Sequence, residues 1–174
     1  VMIGGFGEVL VVDWGIAKVL GTEEYTEEED FVQTSRSEKN VMATKMGMVA
    51  GTPAYMSPEQ ASGRIDLVSP QSDIYTLGAI LYEILSGNQP YSGNSAMEIV
   101  EKVKSTRPPS LLTTSTGRGP IDLPGVDPLE EESTGRIPLP LIEICERAMA
   151  REIADRYQNA SELAEDIFNW LEGA

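Results

Sequence analysis

The sequence predicts an α+β fold: a short N-terminal β-hairpin followed by a mostly α-helical body. Two patterns carry this. VMIGGFGEVLVV at 1–12 places two β-rich runs, Val1–Ile3 and Val9–Val12, around a glycine-rich connection at Gly4–Glu8, which is the pattern of a hairpin. PQSDIYTLGAILYEILS at 70–86 repeats apolar residues at helical spacing, and further helical segments follow it. At 174 residues, with 41% hydrophobic and 24% charged, the chain is long and apolar enough to fold as one domain with a real core.

From Ile16 to about Ala50 no periodicity is sustained. This stretch carries the acidic run EEYTEEED at 23–30 and many hydroxyls, and reads as a long polar loop. In the helix over 70–86, Ile74, Leu77, Gly78, Leu81, Ile84 and Leu85 recur at i, i+3 and i+4. Ser69 suits its N-cap, Pro70 its first position and Gly87 its C-terminal cap. Ile80 and Tyr82 widen the apolar surface, so the helix is expected to be buried on most sides. An amphipathic helix over about 95–105 should turn Met97, Val100 and Val103 inward. Residues 107–138 are rich in Pro, Gly, Ser and Thr and read as a second long loop or insertion. Two helices close the chain. One, over about 139–150, should bury Ile142, Cys145, Ala148 and Met149. The other, over about 160–172, should bury Leu163, Ile167, Trp170 and Leu171, with Asn159 and Glu162 forming a capping box at its start.

Composition excludes several chemistries. With 13 Lys and Arg against 28 Asp and Glu, the net charge is −15, the wrong sign for a nucleic-acid binder. With no His, this chain contains neither a His-based triad nor a His-ligated zinc site. Cys145 is the one cysteine, so no intramolecular disulfide can form, which fits a reducing compartment. No apolar run is long enough to span a bilayer, so no membrane contact is expected within this segment. The chain opens on Val1, in an apolar stretch, and reads as a piece of a longer protein.

The chemistry lies in four motifs, in this order: Asp-Trp-Gly at 13–15, GTPAYMSPEQ at 51–60, SDIYTLGAILYEILSG at 72–87 and DRYQNASEL at 155–163. Together they resemble the C-terminal lobe of a eukaryotic-type Ser/Thr protein kinase, in the style of the bacterial members of that family. The resemblance covers nearly the whole chain. It implies a partial protein-kinase-like α+β fold, a mostly helical C-lobe with a short N-terminal hairpin. Within it, 13–59 is the activation segment and 70–172 the helical subdomain, with the insertion at about 107–138.

The resemblance assigns roles residue by residue. Asp13 is similar to the family's metal-binding Asp, the contact to ATP through Mg²⁺. Trp14 replaces the usual Phe with another large apolar plug, and Gly15 allows the sharp turn behind it. Gly51 and Thr52 match the substrate-receiving loop, where the Thr hydroxyl supports the catalytic residues and marks a Ser/Thr rather than a Tyr kinase. Pro53, Ala54, Tyr55 and Met56 would line the pocket for the residue after the phosphoacceptor. Glu59 ends the activation segment and is expected in a buried ion pair with Arg156. Asp73 is expected as the buried Asp of the central helix, holding the backbone of the catalytic loop. Thr44, eight residues before Thr52, is a candidate phosphosite, because related kinases phosphorylate themselves in this region. The acidic run at 23–30 reads as a solvated loop, or more sharply as an autoinhibitory or partner-binding tail that mimics phosphate.

GGFGEV at 4–9 looks like a nucleotide-covering glycine loop, but its glycines lack the full spacing, and no Val-Ala-x-Lys strand follows. It reads instead as the hairpin turn, and Lys18 is not the ATP-pairing lysine. The catalytic base and its loop (HRDxKxxN) are expected upstream of Val1, as is the N-lobe, the partner that this lobe lacks. The 174 residues are therefore expected to be inactive alone and only marginally stable. The expected function is transfer of the ATP γ-phosphate to protein Ser or Thr hydroxyls with Mg²⁺ in the full-length kinase. The alternative is a pseudokinase or a kinase-derived binding module. The expected compartment is the cytoplasm, whether as a free protein or as the cytoplasmic part of a membrane-anchored one.

Overall fold

A computed structural model describes residues 2–11, 53–113 and 137–173. The chain divides into two compact units, Val1–Ala50 and Gly51–Ala174. The division falls inside the segment 13–59.

In the first unit the described residues form an antiparallel hairpin, β1 (Met2–Ile3) and β2 (Val9–Leu10), with Met2 opposite Leu10 and Ile3 opposite Val9. The second arm ends before Val11, which the sequence placed within it. The turn is closed by the Gly4 N–H donating to the Glu8 carbonyl at 2.8 Å and the Gly7 N–H to the Gly4 carbonyl at 3.1 Å. Gly7 has φ 83°, a conformation that side chains with a Cβ rarely adopt. Met2, Val9, Leu10 and Val11 are all exposed.

The second unit is helical. A 3₁₀ turn at Pro53–Tyr55 leads to α1 (Pro58–Ala61). Another 3₁₀ turn at Ile65–Leu67 precedes α2 (Pro70–Ser86). Then come α3 (Ala96–Ser105), α4 (Leu139–Ala148), a 3₁₀ turn at Ile153–Asp155, and α5 (Ala160–Leu171). The caps follow from side-chain chemistry. Ser95 Oγ accepts from the Glu98 N–H at 3.2 Å, and Asn159 Oδ1 from the Glu162 N–H at 3.0 Å, each satisfying a first-turn donor with no intrahelical partner. Gly87 ends α2 at φ 70°, the left-handed cap that glycine adopts without strain.

The core forms where α2 packs on α4 and α4 on α5. Ile74, Tyr75, Tyr82 and Leu85 meet Leu141, Ile142, Cys145 and Leu163 there. Three buried tyrosines are satisfied inside it: the Tyr75 and Tyr91 hydroxyls lie 3.1 Å apart, and the Tyr82 hydroxyl donates to the Pro109 carbonyl at 2.9 Å. At Gly78, α2 comes into close contact with the end of α4. A Cβ there would stand 2.8 Å from both Ala148 Cβ and Met149 Cγ.

That approach sets the rotation of α2 and decides which of its apolar residues stay exposed. With the Gly78 side against α4, Leu77 and Ile84 fall about a quarter turn or more away, and they are exposed at 38% and 58%. Eight residues of α2 are buried and only four are exposed, so the helix is buried on most sides as expected, with an open edge at Leu77 and Ile84. In α3, Ile99 packs on the core beside Val100 and Val103. This turns the buried face away from Met97, which is exposed rather than inward. Leu171, also predicted inward, lies at the edge of the α5 face in the last turn and is exposed, while Ile167 and Trp170 are partly buried against the core.

Substituting Gly78→Ala should lower the urea midpoint. The added methyl gains about 1 kcal/mol of helix propensity, but forcing α4 back should cost about 1–3 kcal/mol, because Ala148 has no flexible chain to move aside. Equilibrium unfolding of the two chains measures the sign.

Candidate functional site

The segment 53–61 is held on both sides by short-range chemistry. Ser57 is the N-cap of α1: its Oγ accepts from the Gln60 N–H at 3.4 Å, and Gln60 Oε1 accepts from the Ser57 N–H at 3.0 Å. Pro58 occupies the first helical position, where no N–H is needed. Ahead of the cap, the Met56 N–H closes the 3₁₀ turn on the Pro53 carbonyl at 3.2 Å. Pro53 and Ala54 are buried. Residues 53–55 rest on α2 and α3, and α1 also rests on α3.

Tyr55 fastens this segment to α2. Its hydroxyl donates to the Glu83 carboxylate and accepts from Gln89 Nε2 at 3.2 Å. Its carbonyl accepts from Thr76 Oγ1 at 3.1 Å. Burial and the Glu83 hydrogen bond raise the Tyr55 pKa, so the hydroxyl remains a donor at neutral pH. Pro53, Ala54, Tyr55 and Met56 thus form one short, anchored strip.

The C-terminal end of the strip is anchored by charge. Arg156 Nη1 donates to Glu59 Oε1 at 2.8 Å and Nη2 to Glu59 Oε2 at 3.0 Å. The guanidinium also donates to the carbonyls of Ala150 at 2.8 Å, Gln71 at 3.0 Å and Arg151 at 3.2 Å. These contacts use all five of its N–H donors. Ser72 Oγ donates to Glu59 Oε1 at 2.7 Å. Arg156 and Glu59 are only 1% and 5% exposed, so the full complement of bonds is what makes burial of two charges tolerable. The Arg156 guanidinium also lies 5.0 Å from the centre of the Tyr75 ring. Burial pushes the Glu59 carboxyl upward, but the Arg156 and Ser72 hydrogen bonds more than offset this and hold its pKa at about 2.

Asp73 is placed differently from the sequence expectation of a buried residue. It is exposed in the first turn of α2, because the rotation set at Gly78 turns it away from α4. Partial desolvation still raises its pKa. Asp13, Gly15, Thr44, Gly51 and Thr52 lie outside the described residues, so the structure brings together only the 53–59 half of the predicted site with Arg156. Among the described residues no group of three or more His, Cys, Asp or Glu side chains is gathered as a metal site. Sequence reasoning missed Ser72, Glu83 and Gln89. Their partners lie 13, 28 and 34 residues away, and no local spacing pattern connects them.

The family model for the protein kinase domain matches residues 1–165. The chain belongs to the protein kinase domain family. It is 32% identical over 176 residues to serine/threonine-protein kinase PknD of Protochlamydia amoebophila, covering 99% of this chain and 16% of that protein. It is also 32% identical to the PknD of Chlamydia pneumoniae, again over 16% of the relative. To the probable serine/threonine-protein kinase PknB of Bifidobacterium longum it is 33% identical, covering 20% of that protein. The chain thus spans between a sixth and a fifth of the length of these relatives. Among solved structures, the autoinhibited serine kinase domain of the giant muscle protein titin aligns over 71% of this chain and 31% of that one, with 22% identity and a TM-score of 0.46.

Two outcomes follow from the ion pair. Glu59→Gln should cost about 3 kcal/mol of folding stability, and Arg156→Met about 5 kcal/mol, because a buried partner is orphaned in each and Arg156→Met strands three carbonyls as well. Urea unfolding of each chain measures the order. The Glu59 pKa lies below its ordinary 4.5 in the folded state. Its stabilisation is therefore complete above about pH 4.5 and is lost as pH falls toward about 2. The acid limb of stability against pH should be shallower in the Glu59→Gln chain.

Proposed function

We propose that this chain is the activation segment and C-terminal lobe of a Ser/Thr protein kinase that transfers the γ-phosphate of ATP to protein hydroxyls. The observation that supports it most is the strip 53–59. Its peptide-facing part is fixed to α2 through Tyr55, and its end is fixed by the Glu59–Arg156 pair. Such a strip is a preorganised surface for an extended substrate segment, and orientation of the acceptor is a large part of what a kinase must supply.

On this reading Pro53–Met56 receive the residue after the phosphoacceptor, and the Thr52 hydroxyl orients the acceptor beside the catalytic base. The base and its loop are contributed by sequence before Val1. Asp13 is the residue that would hold Mg²⁺. When bound, ATP with Mg²⁺ supplies the transferable phosphoryl group and neutralises its charge. Asp73 would hold the catalytic-loop backbone, and its exposure among the described residues leaves it free for that contact. The protein partners are Ser- and Thr-bearing substrates and the N-lobe of the same protein. Thr44 is the residue whose phosphorylation would order the activation segment.

The test is phosphorylation of a protein substrate by the full-length protein. Asp13→Ala should lower the rate by about a thousandfold, the equivalent of several kcal/mol of lost charge stabilisation. The isolated chain should show no ATP-dependent transfer. Full activity in the Asp13→Ala protein would overturn the metal-holding role of Asp13, and no transfer by the full-length parent would overturn the enzyme reading and leave a kinase-derived binding module.

A further inference from the structure

The last turn of α3 ends in carbonyls that have no partner within the helix. The Lys102 carbonyl is met locally by the Thr106 N–H and by Thr106 Oγ1, both at 2.8 Å. The next two carbonyls are met from far along the sequence. Arg151 Nη1 donates to the Val103 carbonyl at 3.3 Å and to the Thr106 carbonyl at 2.7 Å, and Nη2 donates to the Lys104 carbonyl. One guanidinium therefore closes three carbonyls at the negative end of the helix, where a cation is electrostatically favoured. A lysine there would offer a point charge in place of this fork.

The helix that Arg151 closes is the wall on which residues 53–55 and α1 rest. Its inner residues Val100 and Val103 are buried. The backbone that carries Arg151 is tied in turn to the other anchor of the strip, since Arg156 Nη2 donates to the Arg151 carbonyl at 3.2 Å. We propose that Arg151 is a positioning residue for the strip 53–61, acting through α3. It does not touch the strip. It fixes the end of the helix beneath it and shares a backbone link with the arginine that anchors Glu59. The proposal takes the strip's role in binding substrate from the function proposed above. The mechanical coupling itself does not depend on that role.

Amide hydrogen exchange on the full-length protein, read at the peptides of this chain, tests the coupling directly, comparing parent, Arg151→Met and Arg151→Lys. In Arg151→Met, exchange should accelerate by about tenfold at 103–106 and also at Met56, Ser57, Gln60 and Ala61, with α5 unchanged. Arg151→Lys should fall between the two. Acceleration at 103–106 with 56–61 at the parent rate would overturn the proposal, leaving Arg151 as a helix cap only. Uniform acceleration that includes α5 would also overturn it, as a global loss of stability. If Arg151→Met does not fold, Arg151→Lys is read by the same criteria. In the full-length protein, Arg151→Met should raise the KM for a peptide substrate by about three- to tenfold, with kcat and the KM for ATP held. Absence of phosphotransfer in the full-length parent would overturn the kinase reading, while the exchange comparison still decides the coupling.

Discussion

The helical unit depends on the buried pair between Glu59 and Arg156. A carboxylate and a guanidinium each carry a full charge that is costly to take out of water, and each is nearly sealed from it here. They are tolerated because every strong donor of Arg156 is matched, five bonds reaching Glu59 and three backbone carbonyls. The three carbonyls belong to the start of α2 and to the connection between α4 and α5. The pair therefore joins the end of the candidate peptide strip to two separate parts of the core. A hydrophobic replacement could fill the volume but could not specify these three backbone positions together.

Packing and polarity divide the work. The contact of α2 with α4 at Gly78 is a matter of volume: only the absence of a Cβ lets the helices come so close. It determines which residues of α2 face the core. The fastening of 53–55 is a matter of hydrogen bonds: Tyr55 to Glu83, Gln89 and Thr76. The strip is held by hydrogen bonds from its tyrosine as much as by apolar burial.

Much of this was legible in the sequence, for local reasons. The α2 boundaries were carried by Ser69, Pro70 and Gly87, and the start of α5 by Asn159 and Glu162, because caps act within one turn. The meeting of Glu59 with Arg156 rested on resemblance, since the two residues are 97 apart and no periodicity relates them. The misreadings of Leu77, Ile84, Met97 and Leu171 share one cause. Periodicity shows that a helix has an apolar stripe, but a stripe wider than the contact leaves its rotation undetermined, and the neighbour at closest approach decides it. Arg151 and Glu83 were illegible because their partners are a set of backbone carbonyls in one case and a distant tyrosine in the other.

The exposed Leu77 and Ile84 have a colloidal consequence. Between copies of the chain, attraction through these side chains is opposed at neutral pH by a net charge of −15. That repulsion disappears near the isoelectric point of about 4.3, while the apolar stripe is unchanged by pH. Acid thus removes the barrier to self-association at the upper edge of the range in which Glu59 begins to loosen. Association and unfolding will then reinforce each other, and solutions of this chain will be bounded on the acid side by precipitation as much as by loss of structure.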